Sequence, residues 1–312
     1  MSGLSRAVEG NASVHRQSVV TIAPNSWEPF VMTTDHMRLF SGKFFISTAL
    51  EALETKTAMS KELAVRYLQR AAIAGLLIAI FYLAHFGAVA AFGSVQVGTG
   101  SLAVLGKMVG AVIFGWALVF IYFTKSELLT SNMMVASIGI YYRRVKWGRA
   151  LRMLGLCYVG NFVGGLVLAA LARLSTLASG AVLSEMEHSV TVKLGYISAG
   201  PLGWSDLLMR AILCNLMINV AMLLVYNGFI KDDLTKSLAM IMAVFIFVFL
   251  GLEHSVANTI LFTIVGLKSG IDLALAAGNV AIALIGNFIG GGVLIGLYYA
   301  YVNDDSKYRA NP

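Results

Sequence analysis

The sequence predicts an all-α membrane protein: six transmembrane helices in an inverted three-plus-three repeat, with helices 2 and 5 broken. Three observations carry this. The 312 residues are 58% hydrophobic and 12% charged, with a mean hydropathy of +0.78, more apolar surface than a soluble domain can hide. The apolar sequence divides into six segments, each long enough for the roughly 20 residues that a span requires. One signature also occurs twice at a single offset of 126. Glu127-Leu128-Leu129-Thr130-Ser131-Asn132 is echoed by Glu253-His254-Ser255-Val256-Ala257-Asn258, and Gly160-Asn161-Phe162-Val163-Gly164-Gly165 by Gly286-Asn287-Phe288-Ile289-Gly290-Gly291.

Taken in order, residues 1–69 form a cytoplasmic N-terminal segment. Its first part is polar and irregular. Over 46–69, Leu50, Leu53, Met59, Leu63 and Tyr67 recur at helical spacing among charges, which predicts an amphipathic helix leading into the membrane. A transport domain follows over 70–301, with repeat halves 70–173 and 207–301. Its apolar segments lie at about 70–93, 107–142, 150–173, 207–230, 236–268 and 273–301. The second and fifth are too long for one simple span, and these two contain the Glu…Asn signature. Each reads as two half-helices joined by a non-helical break. Irregular backbone is forbidden in lipid, so both breaks are buried in protein or face a cavity. Arg70-Ala71-Ala72 resembles Arg210-Ala211-Ile212 at an offset of 140, which places 14 extra residues of the first half in the loop around Gly93–Ser101. Three spans per half is an odd number, so the halves insert with opposite orientation, and a transport site is expected where they meet. A short tail, 302–312, closes the chain.

Charge distribution orients the chain. With both termini cytoplasmic, the inner loops hold Arg143, Arg144, Lys146, Arg149, Arg152, Lys231, Lys236, Lys307 and Arg309. The outer side holds Lys107, Arg173, Lys193, Arg210 and Lys268. That excess follows the positive-inside rule and places the protein in the cell membrane, inner or plasma. The net charge of +7 is therefore a topology signal, and no nucleic-acid partner is expected. Cys157 and Cys214 lie in separate apolar segments and read as packing cysteines. No clustered ligands suggest a metal, and no cofactor is expected.

Polar groups inside apolar spans mark pathways. His254 is the sharpest of them. It sits at a break in mid-membrane, where a protonated imidazole pays a large desolvation cost and a neutral one still donates one hydrogen bond to a small anion. A lone buried histidine usually serves packing; the duplicated break shifts the reading to function. Glu127 and Glu253 begin the breaks, where free backbone N–H groups need acceptors, so they read as structural rather than catalytic. Asn132 and Asn258 likewise tie the breaks to neighbouring backbone. Thr130 and Asn215 are small polar groups able to bond an anion weakly, as conduction requires. Asn161 and Asn287 accompany Gly-x-x-x-Gly spacing, which lets helices approach closely; Asn287 either packs or bonds the central residues. Lys125 pairs with a carboxylate or snorkels, or else it raises the local positive potential. Lys193, in the outer connection, attracts anions or is merely solvated. Phe114, Leu118, Leu129 and Phe247 are ordinary membrane core or hydrophobic constrictions.

The signatures Glu-Leu-Leu-Thr-Ser-Asn, Gly-Asn-Phe-Val-Gly-Gly, Ile-Leu-Cys-Asn, Gly-Leu-Glu-His-Ser-Val-Ala-Asn and Gly-Asn-Phe-Ile-Gly-Gly occur in order between Lys56 and Tyr301. Together they resemble the formate/nitrite transporter family. The stretch Ser-Glu-Leu-Leu-Thr-Ser-Asn-Met-Met looks most like its formate-channel and formate-uptake branch. The resemblance implies an aquaporin-like six-span protomer in a homopentamer with one pore each. It implies His254 as the central histidine, an omega-shaped break carrying Leu129 and Thr130, and Lys193 as a vestibule cation. Phe114, Leu118, Phe247, Asn215 and Asn287 take pore-lining or constriction positions. The chain departs in three places. Lys193 lies 22 residues before Asn215, with a Gly- and Pro-containing insertion between them. Leu129 replaces a phenylalanine, and Lys125 stands where a small residue is expected.

The expected function is passage of small monovalent weak-acid anions, formate first, with lactate, acetate, nitrite and hydrosulfide as alternatives, proton-linked through His254. A pure anion channel is the mechanistic rival. A water or glycerol channel would carry Asn-Pro-Ala at its breaks, and neither break has a proline. An intramembrane enzyme would need a nucleophile or a metal cluster, and the motifs offer neither.

Overall fold

The computed structural model describes residues 39–306. The polar opening stretch 1–38 and residues 307–312 of the tail, with Lys307 and Arg309, lie outside the described residues. Helix α1, Lys43–Glu62, is the expected amphipathic helix; it buries Phe45, Ile46, Ala49 and Leu53 at three- and four-residue spacing. At Leu63 the backbone leaves the helical region (φ −131°, ψ 44°) and α2, Ala64–Gly93, begins at once. No Gly or Pro marks that bend, which is why the sequence reading ran the amphipathic helix on to residue 69. Helix α3 covers Ala103–Phe123, α4 Leu129–Tyr141 and α5 Trp147–Arg173; α6 covers Gly180–Ser198 and α7 Pro201–Tyr226; α8 covers Asp233–Phe249 and α9 Ser255–Lys268. The last span runs as α10, Leu273–Asn287, a ten-residue π-helix, Phe288–Leu297, and α11, Tyr298–Val302. Among the described residues, five helical stretches are long and apolar enough to cross a membrane: Ala64–Gly93, Ala103–Phe123, Trp147–Arg173, Pro201–Tyr226 and Leu273–Val302. The remaining segment is the broken pair α8 and α9, neither half of which reaches that length.

The 14 extra residues of the first half are not confined to its loop. They are shared among a longer end of α2, a two-stranded hairpin pairing Gln96–Val97 with Gly100–Ser101, and an earlier start of α3. The connection between the halves also holds the helix α6, which hydropathy alone did not reveal. Its buried side chains, Met186, Val190 and Lys193, recur at four- and three-residue spacing. The halves interlock: α4 packs on the π-helix of the second half, and α9 packs on α5 of the first. Glycine permits the closest approaches. A Cβ at Gly164 would lie 1.8 Å from the Ala72 carbonyl oxygen, and one at Gly290 would lie 2.0 Å from that of Ile212. These distances leave room for hydrogen only, as the Gly-x-x-x-Gly spacing predicts.

Candidate functional site

Each break is built by the same parts. In the first, residues 124–128, the chain leaves α3 through Lys125 at φ +55°. Arg70 on α2 closes this turn by donating from Nε to the Lys125 carbonyl at 2.8 Å. Asn161 on α5 then holds the exit: Nδ2 donates to the carbonyls of Ala71 and Glu127, each at 2.8 Å, and Oδ1 accepts from the Leu129 N–H at 3.1 Å. The second break, residues 250–254, repeats this with Gly251 at φ +65° and Arg210 donating to its carbonyl at 3.2 Å. Asn287 donates to the carbonyls of Ala211 (2.8 Å) and Glu253 (3.0 Å) and accepts from Ser255 N–H at 2.9 Å. Asparagine suits the task because one amide offers a donor and an acceptor to backbone that water cannot reach.

The glutamates take different partners from those expected. Glu127 accepts from Lys56 of α1 and, at 3.0 Å, from Asn132, with Arg70 3.6 Å away. Glu253 accepts from Lys193 of α6 through both oxygens at 2.9 Å, and from Asn258 at 2.5 Å. Asn258 continues to Asn279, which donates to the Lys193 carbonyl; Asn132 also meets the Tyr67 hydroxyl. The carboxylates therefore pin α1 and α6 onto the breaks, while Asn161 and Asn287 satisfy the break backbone. The repeat thus extends further than the sequence reading took it: the pairs Lys56–Glu127 and Lys193–Glu253 correspond.

At the centre the first turn of α4 meets the second break. Thr130 Oγ1 lies 3.1 Å from His254 Nε2, and the Ala257 N–H donates to His254 Nδ1 at 3.1 Å. Because Nδ1 accepts, the neutral imidazole carries its proton on Nε2 and donates it to the Thr130 hydroxyl. The Thr130 carbonyl is held by Asn215 (3.1 Å) and Asn219 (3.2 Å), and Asn215 also donates to the Asn287 carbonyl at 2.6 Å. Phe247 stacks on His254 at 6.0 Å between centroids, and Phe114 meets Phe247 edge-on at 6.2 Å. His254, Phe114, Phe247, Ile78 and Ile218 line a small apolar space of about 20 Å³. A larger cavity of about 480 Å³ lies on the α1 side, lined by Lys56, Arg70, Lys125, Glu127 and Asn132 among others. Leu118, Ile121 and Leu128 border both spaces.

The structure thus brings His254, Phe114, Leu118 and Phe247 to one small space, with Thr130 buried against His254 and lining neither space. Asn215, Asn287 and Leu129 are likewise buried and line neither space. The amides of Asn215 and Asn287 hold backbone instead. Leu129 opens α4 rather than lying within the break. Lys193 is buried against Glu253 rather than solvated in a loop, whereas Lys125 is exposed on the larger cavity. Sequence reasoning missed Leu128, Lys56, Arg70 and Asn219. Leu128 carried a signal, since the offset of 126 makes it the repeat mate of His254.

A family model described as formate/nitrite transporter matches residues 45–301. The chain is 29% identical over 258 residues to a probable formate transporter of Methanothermobacter thermautotrophicus, covering 76% of this chain and 92% of that protein. It is 28% identical over 253 residues to the formate channel FocA of Escherichia coli, covering 72% and 82%. Among solved structures, one described as an FNT family ion channel superposes with a TM-score of 0.69 at 23% identity, over 87% of this chain and all of that one. Another, described as a pentameric formate channel with formate bound, gives 0.60 at 19% identity, over 78% and 98%. At these identities the likeness to solved structures shows the fold.

Proposed function

Given that the chain belongs to the formate/nitrite transporter family, a multi-pass membrane family of transporters and channels rather than enzymes, we propose that it passes small monovalent anions of weak acids, formate first, with a proton. The observation that carries this reading is the Thr130–His254 contact, 3.1 Å long, made between the first turn of α4 and the second break, with His254 on the wall of an apolar space. His254 donates into the Thr130 oxygen, which frees the threonine hydroxyl hydrogen for an incoming carboxylate. An anion entering past Leu118 and Leu128 loses water there, and desolvation favours its protonated, neutral form. The neutral acid crosses the phenylalanines without the cost of a bare charge. A second proton on His254 Nδ1 would face the Ala257 N–H, so the geometry favours the imidazole as a donor rather than a fixed cation. By analogy with the pentameric channel it superposes on, the protein assembles as a homopentamer. The basic inner loops put the α1 face in the cytoplasm.

The test is labelled formate uptake into proteoliposomes under an imposed pH gradient, with internal pH and membrane current recorded together. Uptake with matching acidification, lost in Thr130→Val and His254→Ala, supports proton-linked transport. Uptake with current and no acidification replaces it with an anion channel. No uptake by folded protein removes formate and turns attention to nitrite, hydrosulfide and lactate.

A further inference from the structure

We infer that Lys125 is the anion-capturing group of the α1-side cavity, a binding residue peculiar to this chain's first half, with small monocarboxylates as its ligand. The inference rests on the transport reading above and assigns one mouth of the passage a site the other lacks. The cavity wall carries three cations, Lys56, Arg70 and Lys125, and two carboxylates, Glu51 and Glu127. Lys56 and Arg70 are both engaged by Glu127. Among the described residues, no carboxylate lies within ion-pair distance of Lys125. Its ammonium instead sits 5.0 Å from the centroid of the Tyr122 ring, which is also part of the wall. That is an exposed, uncommitted charge beside the route to Leu118 and Leu128.

The comparison of the two breaks points the same way. Lys125 is left-handed, at φ +55°, and its repeat mate is Gly251, at φ +65°. Glycine adopts this conformation freely, whereas a side chain is strained by contact with its own carbonyl. The turn itself does not call for lysine, because Arg210 closes the second turn on a glycine in the same way. Arg143 ends α4 in the same left-handed way at φ +56°, so the conformation belongs to the helix end, and it is the opening of the side chain on the cavity that singles out Lys125. A lysine that only snorkels to lipid headgroups would gain nothing from lining the cavity wall.

The decisive variant is Lys125→Gly, because it removes the charge and relieves the strain together. In oriented proteoliposomes at low ionic strength, KM for formate presented at the α1 face rises about fivefold, the effect of one near charge in water, while the maximal rate from that face stays unchanged and the ratio of maximal rate to KM at the opposite face falls by the same factor, as detailed balance requires. Lys125→Arg keeps the wild-type KM. Raising the salt brings wild type and Lys125→Gly together, since exposed charges are screened over about 10 Å at 0.1 M. Formate-dependent thermal stabilisation in detergent, weakened in Lys125→Gly, reads binding without transport. Equal KM and equal formate stabilisation in wild type and Lys125→Gly would overturn the inference while leaving transport standing. Wild-type protein that binds formate and does not move it would sink the transport reading and leave the site.

Discussion

Removing Lys193 should damage the protein far more than removing its repeat mate Lys56, and the difference can be worked from the two sites. Lys193 Nζ contacts both oxygens of Glu253 at 2.9 Å, and the two side chains are 10% and 3% exposed. In Lys193→Met the carboxylate is left buried with Asn258 alone, and breaking a buried pair by deleting one partner costs about 3–5 kcal/mol. Lys56 is 15% exposed and opens on the larger cavity, and Glu127 retains Arg70 at 3.6 Å and Asn132 at 3.0 Å. Lys56→Met therefore costs about 1.5–3 kcal/mol, the range of one hydrogen bond to a charged group. The assay is reversible unfolding in mixed micelles, followed by helical signal and by exposure of Cys157 and Cys214, both buried in the fold. Adding Glu253→Gln to Lys193→Met should restore at least half of the loss, because the orphaned charge disappears while Asn258 keeps an acceptor. If Lys193→Met unfolds within about 1 kcal/mol of wild type, or the two lysine variants cost the same, the buried pair is not what fastens α6 to the second break.

Gly164→Ala and Gly290→Ala should abolish monodisperse protein in size-exclusion chromatography, since the new methyl groups meet carbonyl oxygens of a neighbouring helix at 1.8 and 2.0 Å. Gly155→Ala, at an open site on the same helix as Gly164, should elute as wild type and serves as the control. Leu128→Ala should raise acetate and lactate uptake relative to formate, because this side chain borders both spaces; an unchanged uptake ratio would show that the constriction lies elsewhere. Lys125→Gly should stabilise the fold by about 1 kcal/mol in the same unfolding assay, and a loss of stability would mean that the lysine stem supports the turn.

Much of the site was legible along the chain because the duplication repeats short polar signatures in apolar sequence. His254 and Thr130 stand out in this way, and so do both breaks. The partners of the breaks were less visible. Glu127 and Glu253 suggested backbone caps, yet the caps are Asn161 and Asn287, some 30 residues further along, and the carboxylates hold lysines from α1 and α6. Lys56 lies in a charged helix where any lysine looks solvated, and Lys193 in a connection that hydropathy treats as a loop. Their burial comes from helices docking against the breaks, which no local window of sequence records.

Membrane class, six segments, two breaks and the inverted repeat were all written in one dimension, because lipid filters residues by polarity one span at a time and the duplication preserved its register. The meeting of Thr130 with His254 across 124 residues was not, nor was the placing of Asn215 and Asn287 behind the walls rather than in them. The commitment of Lys56 and Lys193 to glutamates, with Lys125 over the Tyr122 ring and no carboxylate beside it among the described residues, was equally hidden. Those outcomes depend on which side chains from opposite halves share a buried volume, and only the packed helices decide that.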